Sequence, residues 1–365
     1  MNKTKASEYV MYGLDCSYFT GKLEAYFKNT GLPYRYVEMT TDDFDTCSAA
    51  TGVKQLPCVQ TPEGEWLTDT TAIIEHLEKQ GLGLNIRPQD PTTAFCGLLL
   101  EDLFDEWFWR PALYYRWHFK EDSRLMSRWI ARTYLRNKRA PLFLRQWFML
   151  IRQRIVYLKK DGVNKTTAPA IEALYLDSLR ALDSIFATRP FLFGDRPCEA
   201  DYGLFGPFFR HFFCDPTPGA LMREHAPYVA QWVTRLWASR PANIDKAKPL
   251  EAVPQDLGFF FDMVSNDYLP YMVANAQALT SGEKLVRYRS LGVDWEVPTA
   301  PYRAQCLNKL KQDFAELDSN SVNQLAELLS AEALHTLGDS LTPIETGRAT
   351  SVLPGRLGRP AHIFD

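Results

Sequence analysis

The sequence predicts an α+β domain at the N-terminus, followed by an all-α domain and a mostly helical extension. Over residues 1–85, strand-like and helix-like patterns alternate in the order βαβ and then ββα. Over residues 92–240, apolar residues recur mainly at three and four residue steps, which is the periodicity of amphipathic helices. Residues 241–365 show further helical patterns, a hairpin or loop around Gly292, and a tail with little periodicity at 351–365. The chain is long enough for these domains.

The first strand and helix flank a turn that carries a thiol and a hydroxyl group. A strand is predicted at 9–12 and ends at Gly13, after which Cys16 and Ser17 precede a helix that extends to Gly31. A helix N-terminus has unpaired N–H groups and partial positive charge, so it stabilises an anion such as a thiolate. This layout predicts sulfur chemistry.

The remaining elements complete the first domain. A strand is predicted at 34–39, a segment that could hold a short helix at 40–52, strands at 56–60 and 65–67, and a helix at 72–78. Because proline cannot donate a ladder hydrogen bond, Pro57 marks an edge strand or a special turn. Asp69 and Thr70 stand where an N-cap is expected before the last helix.

Four segments in this order resemble the soluble glutathione S-transferases, whose N-terminal domain is thioredoxin-like. The resemblance covers residues 8–240, and it rests on Cys16-Ser17-Tyr18-Phe19, Gln55-Leu56-Pro57, Asp69-Thr70 and the stretch 191–201. Cys198 departs from the family, which has Ser or Thr there to cap a core helix. We expect that helix to depend on Asp201 and on packing instead.

The resemblance implies glutathione as a co-substrate, a hydrophobic electrophile as its partner, no metal, a homodimer, and a role in cytoplasmic detoxification. The residues that it implies for glutathione binding are Gln55, Leu56 and a cis Pro57 for the cysteinyl part, with Asp69 and Thr70 for the γ-glutamyl part. Trp107, Tyr114, Tyr115 and Trp117 are candidates for the wall of the electrophile pocket between the domains, unless they only pack in the core.

The doublet Cys16-Ser17 leaves two catalytic assignments open. Ser17 could donate a hydrogen bond to the sulfur of bound glutathione and lower its pKa by about one or two units from a usual value near 8.5. Cys16 could instead attack and form a mixed disulfide, as in a thiol transferase or a glutathione lyase. A third alternative is a non-catalytic binding or scaffold protein, because a long extension adds surface for partners.

Composition supports a cytoplasmic enzyme. The chain has 46% apolar and 23% charged residues, no apolar N-terminal leader, and no uncharged apolar stretch that could span a membrane. Seven scattered cysteines without a CxxC pair favour a reducing compartment, and six histidines form no ligand motif. No Walker or dinucleotide glycine motif is present.

The segment from Arg124 to Lys160 has eleven Lys or Arg residues and no Asp or Glu, although the whole chain carries a net charge of −3. It could be a solvated face that pairs with acids elsewhere, for which the candidates are Glu101, Asp102, Asp105 and Glu106. It could also form a basic rim that attracts anionic substrates. The overall acidity counts against nucleic acid or membrane binding.

The helical domain is predicted to contain helices at 96–119, 170–187, 202–213 and 228–237, and the extension helices at 257–279, 302–317 and 322–334. Arg210 and His211 stand inside an aromatic helix, where they could reach the cleft or form a satisfied buried pair. The extension could seal the cleft, add dimer surface or enlarge the core.

Overall fold

The computed structural model describes residues 8–342, so the tail predicted at 351–365 lies outside the described residues. The N-terminal domain has the expected thioredoxin-like order. Its elements are β1 (Tyr9–Gly13), α1 (Tyr18–Thr30), β2 (Tyr34–Glu38), α2 (Thr41–Thr51), β3 (Cys58–Gln60), β4 (Trp66–Thr68) and α3 (Thr70–Lys79).

The four strands form one mixed sheet in the order β2-β1-β3-β4. Strand β1 is parallel to β2 and antiparallel to β3, and β3 is antiparallel to β4. Since β3 is an interior strand, Pro57 does not mark a sheet edge. It stands in a special turn, because the Leu56–Pro57 peptide bond is cis.

Local signals explain the helix boundaries in this domain. Ser17 caps α1, and Gly31 ends it in the left-handed conformation with φ 80°. The segment that was ambiguous from sequence is the helix α2, which begins with a reciprocal capping box between Thr40 and Asp43.

The second domain is helical throughout. Its elements are α4 (Pro91–Trp107), α5 (Trp109–His118), α6 (Lys120–Arg132), α7 (Leu142–Ile151) with a π-helical continuation (Arg152–Leu158), α8 (Ala168–Phe186), α9 (Glu199–Pro207) with a π-helical continuation (Phe208–Phe213), α10 (Pro216–His225) and α11 (Pro227–Ala238). The single helix predicted over 96–119 is wrong, because the chain breaks between α4 and α5 at Phe108. Pro111 lacks the N–H group that would bond to the carbonyl of Trp107 in a continuous helix.

Helix α9 lies at the centre of this domain and packs closely on α4. A Cβ atom on Gly203 would come within 2.8 Å of the Glu101 backbone, so only glycine permits this approach. The Asp201 carboxylate accepts hydrogen bonds from the Cys198 backbone N–H at 3.2 Å and from the Trp232 indole at 3.1 Å. The Cys198 side chain accepts from the Asp201 backbone N–H in return, which completes a capping box at the start of α9. The expectation that this helix would begin without a cap from Cys198 is therefore wrong.

The extension is mostly helical and packs on the second domain. Its elements are α12 (Pro241–Ile244), a 3-10 turn (Gln255–Leu257), α13 (Gly258–Met263), a π-helical turn (Val264–Tyr268), α14 (Leu269–Thr280), β5 (Leu285–Ser290), β6 (Val293–Pro298), α15 (Pro301–Ala315), α16 (Ser319–Leu325) and α17 (Ala331–Gly338). Strands β5 and β6 form the hairpin expected around Gly292. The single helix predicted at 322–334 is instead two, α16 and α17.

The extension enlarges the helical core. Tyr268 and Tyr271 contact the Trp107 ring, and all three side chains are buried. Among residues 8–342, no helix is both long and apolar enough to cross a bilayer.

Candidate active site

The sheet register brings three sequence motifs to one end of the N-terminal domain. Tyr12 of β1 lies opposite Cys58 of β3, and Cys58 lies opposite Thr68 of β4. The chain after Tyr12, the chain before Cys58 and the chain after Thr68 therefore leave the sheet at the same end. These three segments carry the Cys16-Ser17 turn, the cis Pro57 turn and the start of α3.

A cavity of about 590 Å³ opens at this end and is bounded by the N-terminal domain, the helical domain and the extension. Four of the five residues predicted to bind glutathione line it: Gln55, Leu56, Asp69 and Thr70. Pro57 and the side chains of Cys16 and Ser17 are not part of the lining. The other residues that line the cavity are Phe19, Lys54, Thr71, Asp105, Glu106, Trp109, Arg110, Tyr157, Lys160, Asp161 and the stretch 297–303.

Asp69 has the least ordinary backbone conformation in this cavity. Its φ of 75° lies in the left-handed region, which an aspartate rarely adopts. Its carboxylate accepts a hydrogen bond from the Ala72 N–H at 3.4 Å, which caps α3, and one from the Tyr302 hydroxyl at 2.7 Å. Burial raises the pKa of Asp69, although both hydrogen bonds lower it. A strained residue that presents a partly buried carboxylate to a cavity is typical of functional sites.

Ser17 and Cys16 differ in what their side chains can do. The Ser17 Oγ accepts a hydrogen bond from the Thr20 N–H at 3.4 Å, and its own proton is donated to no other described residue. Burial raises the pKa of the Cys16 thiol to about 12, although the Arg116 guanidinium lowers it. The thiolate form of Cys16 is therefore strongly disfavoured.

Arg116 anchors the turn that presents these two residues. Its guanidinium donates to the Cys16 carbonyl at 2.7 Å and forms a buried ion pair with Asp215 at 2.7 Å. The positive charge thus lies beside the N-terminus of α1. No local pattern points to this arginine, because it lies about a hundred residues after the turn.

The four aromatic residues predicted for the electrophile pocket do not line this cavity. Trp107, Tyr114, Tyr115 and Trp117 are all buried in the core. The break between α4 and α5 changes which side of the chain faces the cleft. The aromatic residues that line the cavity are instead Phe19, Trp109, Tyr157 and Tyr302. The Trp109 ring stacks on Phe19 at a centroid distance of 6.2 Å.

The extension supplies one wall of the cavity, which answers a question that the sequence left open. The end of β6 and the start of α15 line the cavity from Val297 to Arg303. Tyr302 bonds to Asp69, and Arg303 donates to the Glu106 carboxylate at 3.0 Å. The sequence carried no signal for these two residues.

A second cavity, of about 420 Å³, lies between α3, α4 and α15. Its acidic lining residues are Asp69, Glu75, Glu101, Asp102, Asp105, Glu106, Glu199 and Asp313. Asp102 accepts a hydrogen bond from the Tyr268 hydroxyl at 2.6 Å. Burial raises the pKa of Asp102 to about 7, although that hydrogen bond lowers it.

The acids expected to pair with the basic segment have other partners. Lys22 is completely buried and forms ion pairs with Glu101 at 2.6 Å and with Asp105. Burial lowers the pKa of Lys22, but the two carboxylates raise it by a larger amount, so the net shift is upward. Asp102 bonds to Tyr268 and Glu106 to Arg303, as described above. These four acids therefore have partners outside the segment 124–160. Within that segment, Lys138 lies 3.8 Å from the Asp42 carboxylate, which agrees with a solvated face that pairs with acids elsewhere.

Arg210 and His211 are both buried and each has its own partners, although the Arg210 Nε has no hydrogen-bond partner among the described residues. Arg210 forms ion pairs with Asp15 and Glu24, each at 2.7 Å. The His211 Nδ1 lies 3.0 Å from the Ala112 carbonyl oxygen. Burial and the nearby Arg116 charge lower the pKa of His211, so it is neutral and holds the helices together.

Comparison with known proteins agrees with this architecture. Residues 11–81 match the family model of the glutathione S-transferase N-terminal domain, and residues 147–240 match that of the C-terminal domain. The chain belongs to the glutathione S-transferase family, with an additional C-terminal extension. No protein with a curated description matches the chain.

Several solved structures are distantly similar to it. Beta-etherase LigF from Sphingobium sp. strain SYK-6 is 20% identical, with 65% of this chain and 97% of that chain covered and a TM-score of 0.46. A GST-like protein from Pseudomonas syringae is 15% identical, with coverages of 68% and 78% and a TM-score of 0.42. A glutathione S-transferase from Methylobacterium radiotolerans, in complex with glutathione sulfonate, is 17% identical, with coverages of 68% and 98% and a TM-score of 0.38. Similarity at such low sequence identity does not indicate which reaction this protein catalyses.

Proposed function

We propose that this protein is a glutathione transferase that binds glutathione in the 590 Å³ cavity and directs its sulfur at a hydrophobic electrophile. The observation that carries the proposal is the convergence of Gln55, Leu56, Asp69 and Thr70 on one cavity at the end of the sheet where Ser17 caps α1. Family membership supports glutathione as the co-substrate.

Glutathione would bind through groups that complement its charges. The Asp69 carboxylate accepts hydrogen bonds from the γ-glutamyl ammonium, and the start of α3 at Thr70 supplies N–H groups for the γ-glutamyl carboxylate. The backbone of Leu56 pairs with the cysteinyl amide. Lys54 lines the same cavity and offers a positive charge for the glycyl carboxylate.

Ser17 is the group that would activate the sulfur. Its hydroxyl proton is free to be donated to a thiolate, and the N-terminus of α1 adds partial positive charge at the same place. The raised pKa of Cys16 argues against the thiol transferase alternative, because the attacking group there is a thiolate. Phe19, Trp109 and Tyr157 would hold the apolar part of the electrophile.

The test is the pH dependence of thiolate formation by bound glutathione, followed by ultraviolet absorbance. We expect Ser17→Ala to raise the apparent pKa of the bound thiol by about one or two units, which corresponds to about 1.4 kcal/mol per unit. We expect Cys16→Ala to leave it unchanged. An unchanged pKa in Ser17→Ala would exclude the assignment of Ser17.

Binding itself separates the enzyme from a scaffold of the same fold. We expect the wild type to be retained on immobilised glutathione and the Asp69→Ala variant to pass through. Absence of both retention and thermal stabilisation by glutathione would instead favour a non-catalytic binding protein. The homodimer remains a prediction, which light scattering on the purified chain can measure.

A further inference from the structure

One face of α7 and its π-helical continuation exposes large apolar side chains to solvent. Phe143 and Trp147 are 67% and 62% exposed. Six of the eleven exposed large apolar residues among those described belong to this single segment: Phe143, Leu144, Trp147, Phe148, Ile151 and Ile155. We call these six side chains the apolar ridge. Such a concentration indicates a binding surface, because exposed apolar side chains are usually scattered singly.

The ridge follows from the helix period. Its members recur at steps of one, three and four residues, which places them on one side of a helix. The opposite side of the same helix is buried, since Met149 and Leu158 belong to an apolar cluster with Met126 and Ile130 of α6. The segment is therefore fixed to the body by one face and presents the other face outward.

Positive charge accompanies the ridge in the same stretch of chain and on the neighbouring helix. The segment 124–160 contains eleven Lys or Arg residues and no acid. Arg124, Arg128 and Arg132 are exposed on α6, which packs against α7. None of these three arginines forms an ion pair with a residue in the described range 8–342. They are thus available to an anionic partner.

We propose that the apolar ridge and the α6 arginines form a docking surface for an anionic lipid membrane. Phe, Trp, Leu and Ile on one face of a helix, with Lys and Arg beside it, are the composition of helices that lie in a membrane interface. The apolar side chains enter the boundary between head groups and acyl chains, and the guanidinium groups contact lipid phosphates. The net negative charge of the whole chain does not oppose this binding, because screening limits the interaction to charges within about 10 Å.

Two other occupants fit the surface less well. A second copy of this chain would bring two basic segments together, and their repulsion opposes symmetric pairing through the ridge. A partner protein could receive only the outer face of α7 in a groove, because the inner face is packed against α6, and that groove would need acidic groups to meet the exposed α6 arginines.

Membrane docking would also orient the active site. Tyr157 and Lys160, at the end of the same segment, line the 590 Å³ cavity. The cavity would therefore lie beside the lipid surface, where a lipophilic electrophile is concentrated. This consequence rests on the proposed transferase activity, whereas the docking surface itself does not.

The experiment is co-sedimentation of the full chain with vesicles of phosphatidylcholine, with and without phosphatidylserine, at low and high salt. We expect binding to the anionic vesicles, and loss of that binding at high salt. The double variant Phe143→Gln/Trp147→Gln should weaken partitioning at least about tenfold. Replacement of Arg124, Arg128 and Arg132 by Gln should weaken it about fivefold for each arginine.

Matched controls lie on other faces of the molecule. Tyr228→Gln removes an exposed aromatic side chain from α11, and Arg287→Gln/Arg289→Gln removes two exposed arginines from the β5–β6 hairpin. We expect both controls to bind vesicles like the wild type. Circular dichroism and thermal unfolding of each variant check that the fold is intact.

Three results would overturn the proposal. The first is failure of the wild type to sediment with anionic vesicles. The second is equal binding to neutral vesicles, or unchanged binding by the ridge and arginine variants. The third is a wild type that forms a dimer and does not bind vesicles, together with a Phe143→Gln/Trp147→Gln variant that is monomeric. That result would make the ridge a self-association surface. Glutathione binding is measured separately, so its failure would not be confused with failure of docking.

Discussion

The replacement of Asp69 by asparagine separates the function of this residue from its structural role. Asparagine has nearly the same shape and tolerates a positive φ. Its amide oxygen can take the place of the Oδ1 atom that accepts from the Ala72 N–H, and its NH2 group, in the place of Oδ2, can donate to the Tyr302 hydroxyl oxygen once that hydroxyl rotates. We therefore expect the free energy of unfolding of Asp69→Asn to stay within about 1 kcal/mol of the wild type.

Glutathione binding should respond much more strongly than stability does. In the proposed binding mode, the variant loses the negative charge that would face the γ-glutamyl ammonium, and a hydrogen bond to a charged group contributes about 1.5–3 kcal/mol. Since 1.4 kcal/mol is a factor of ten, the dissociation constant should rise about tenfold to a hundredfold. Isothermal titration calorimetry measures the affinity, and chemical denaturation measures the stability.

Asp318→Asn is a matched control. Asp318 caps α16 by accepting a hydrogen bond from the Ser321 N–H at 2.7 Å, and it lines neither cavity. We expect this variant to bind glutathione like the wild type. If Asp69→Asn binds glutathione within twofold of the wild type, the role of Asp69 in recognising the ammonium is refuted.

Asp69→Gly extends the same reasoning. Glycine relieves the strain of the positive φ, which is worth on the order of 1 kcal/mol, but it removes the hydrogen bonds from Tyr302 and from the Ala72 N–H, each worth about the same. We expect a loss of stability of about 1 kcal/mol and no measurable glutathione affinity. A large loss of stability would show that the carboxylate is mainly a structural cap.

Three further changes test other parts of the site. Tyr302→Phe removes the hydrogen bond that holds the Asp69 carboxylate, so KM for glutathione should rise a few fold while kcat changes little. A fall in kcat alone in steady-state kinetics would contradict this expectation. Incubation with oxidised glutathione should leave Cys16 unmodified at neutral pH, because its raised pKa keeps it a thiol. A glutathione adduct in the intact mass that disappears in Cys16→Ala would instead favour the thiol transferase alternative. Asp102→Asn should stabilise the fold by about 1 kcal/mol or more at pH 8, where the wild-type carboxylate is ionised. The gain should shrink as pH falls through about 7 towards 4, because the wild-type carboxyl is then protonated. A gain in thermal unfolding that is independent of pH would refute the charge argument.

Much of the first domain follows from local signals in the sequence. Ser17 and Gly31 delimit α1 because a cap and a left-handed glycine act within one helical turn. The segment 40–52 remained ambiguous because its capping box lies in a polar stretch with little apolar periodicity. The break at Phe108 was missed because apolar residues continue on both sides of it, and the constraint is the missing N–H of Pro111.

The candidate site shows the limit of sequence patterns more clearly. Gln55, Leu56, Asp69 and Thr70 were found because each belongs to a short motif, and the structure brings all four to one cavity. The four aromatic residues proposed for the electrophile pocket pack in the core, which is the alternative that the sequence analysis left open, because helix rotation decides which side chains face a cleft. The Tyr302 hydroxyl reaches Asp69 across 233 residues of sequence, so no local pattern could reveal it.

The order of strands and helices, the motifs for glutathione and the positive charge of the segment 124–160 are properties of the sequence, because they depend on neighbours within a few turns. The wall that the extension adds to the cavity and the exposure of the apolar ridge are properties of the folded chain. A periodic apolar face on α7 predicts only that the face is buried against something. The tertiary structure shows that the opposite face of α7 packs on α6. Within residues 8–342, the six side chains of the apolar ridge remain exposed to solvent.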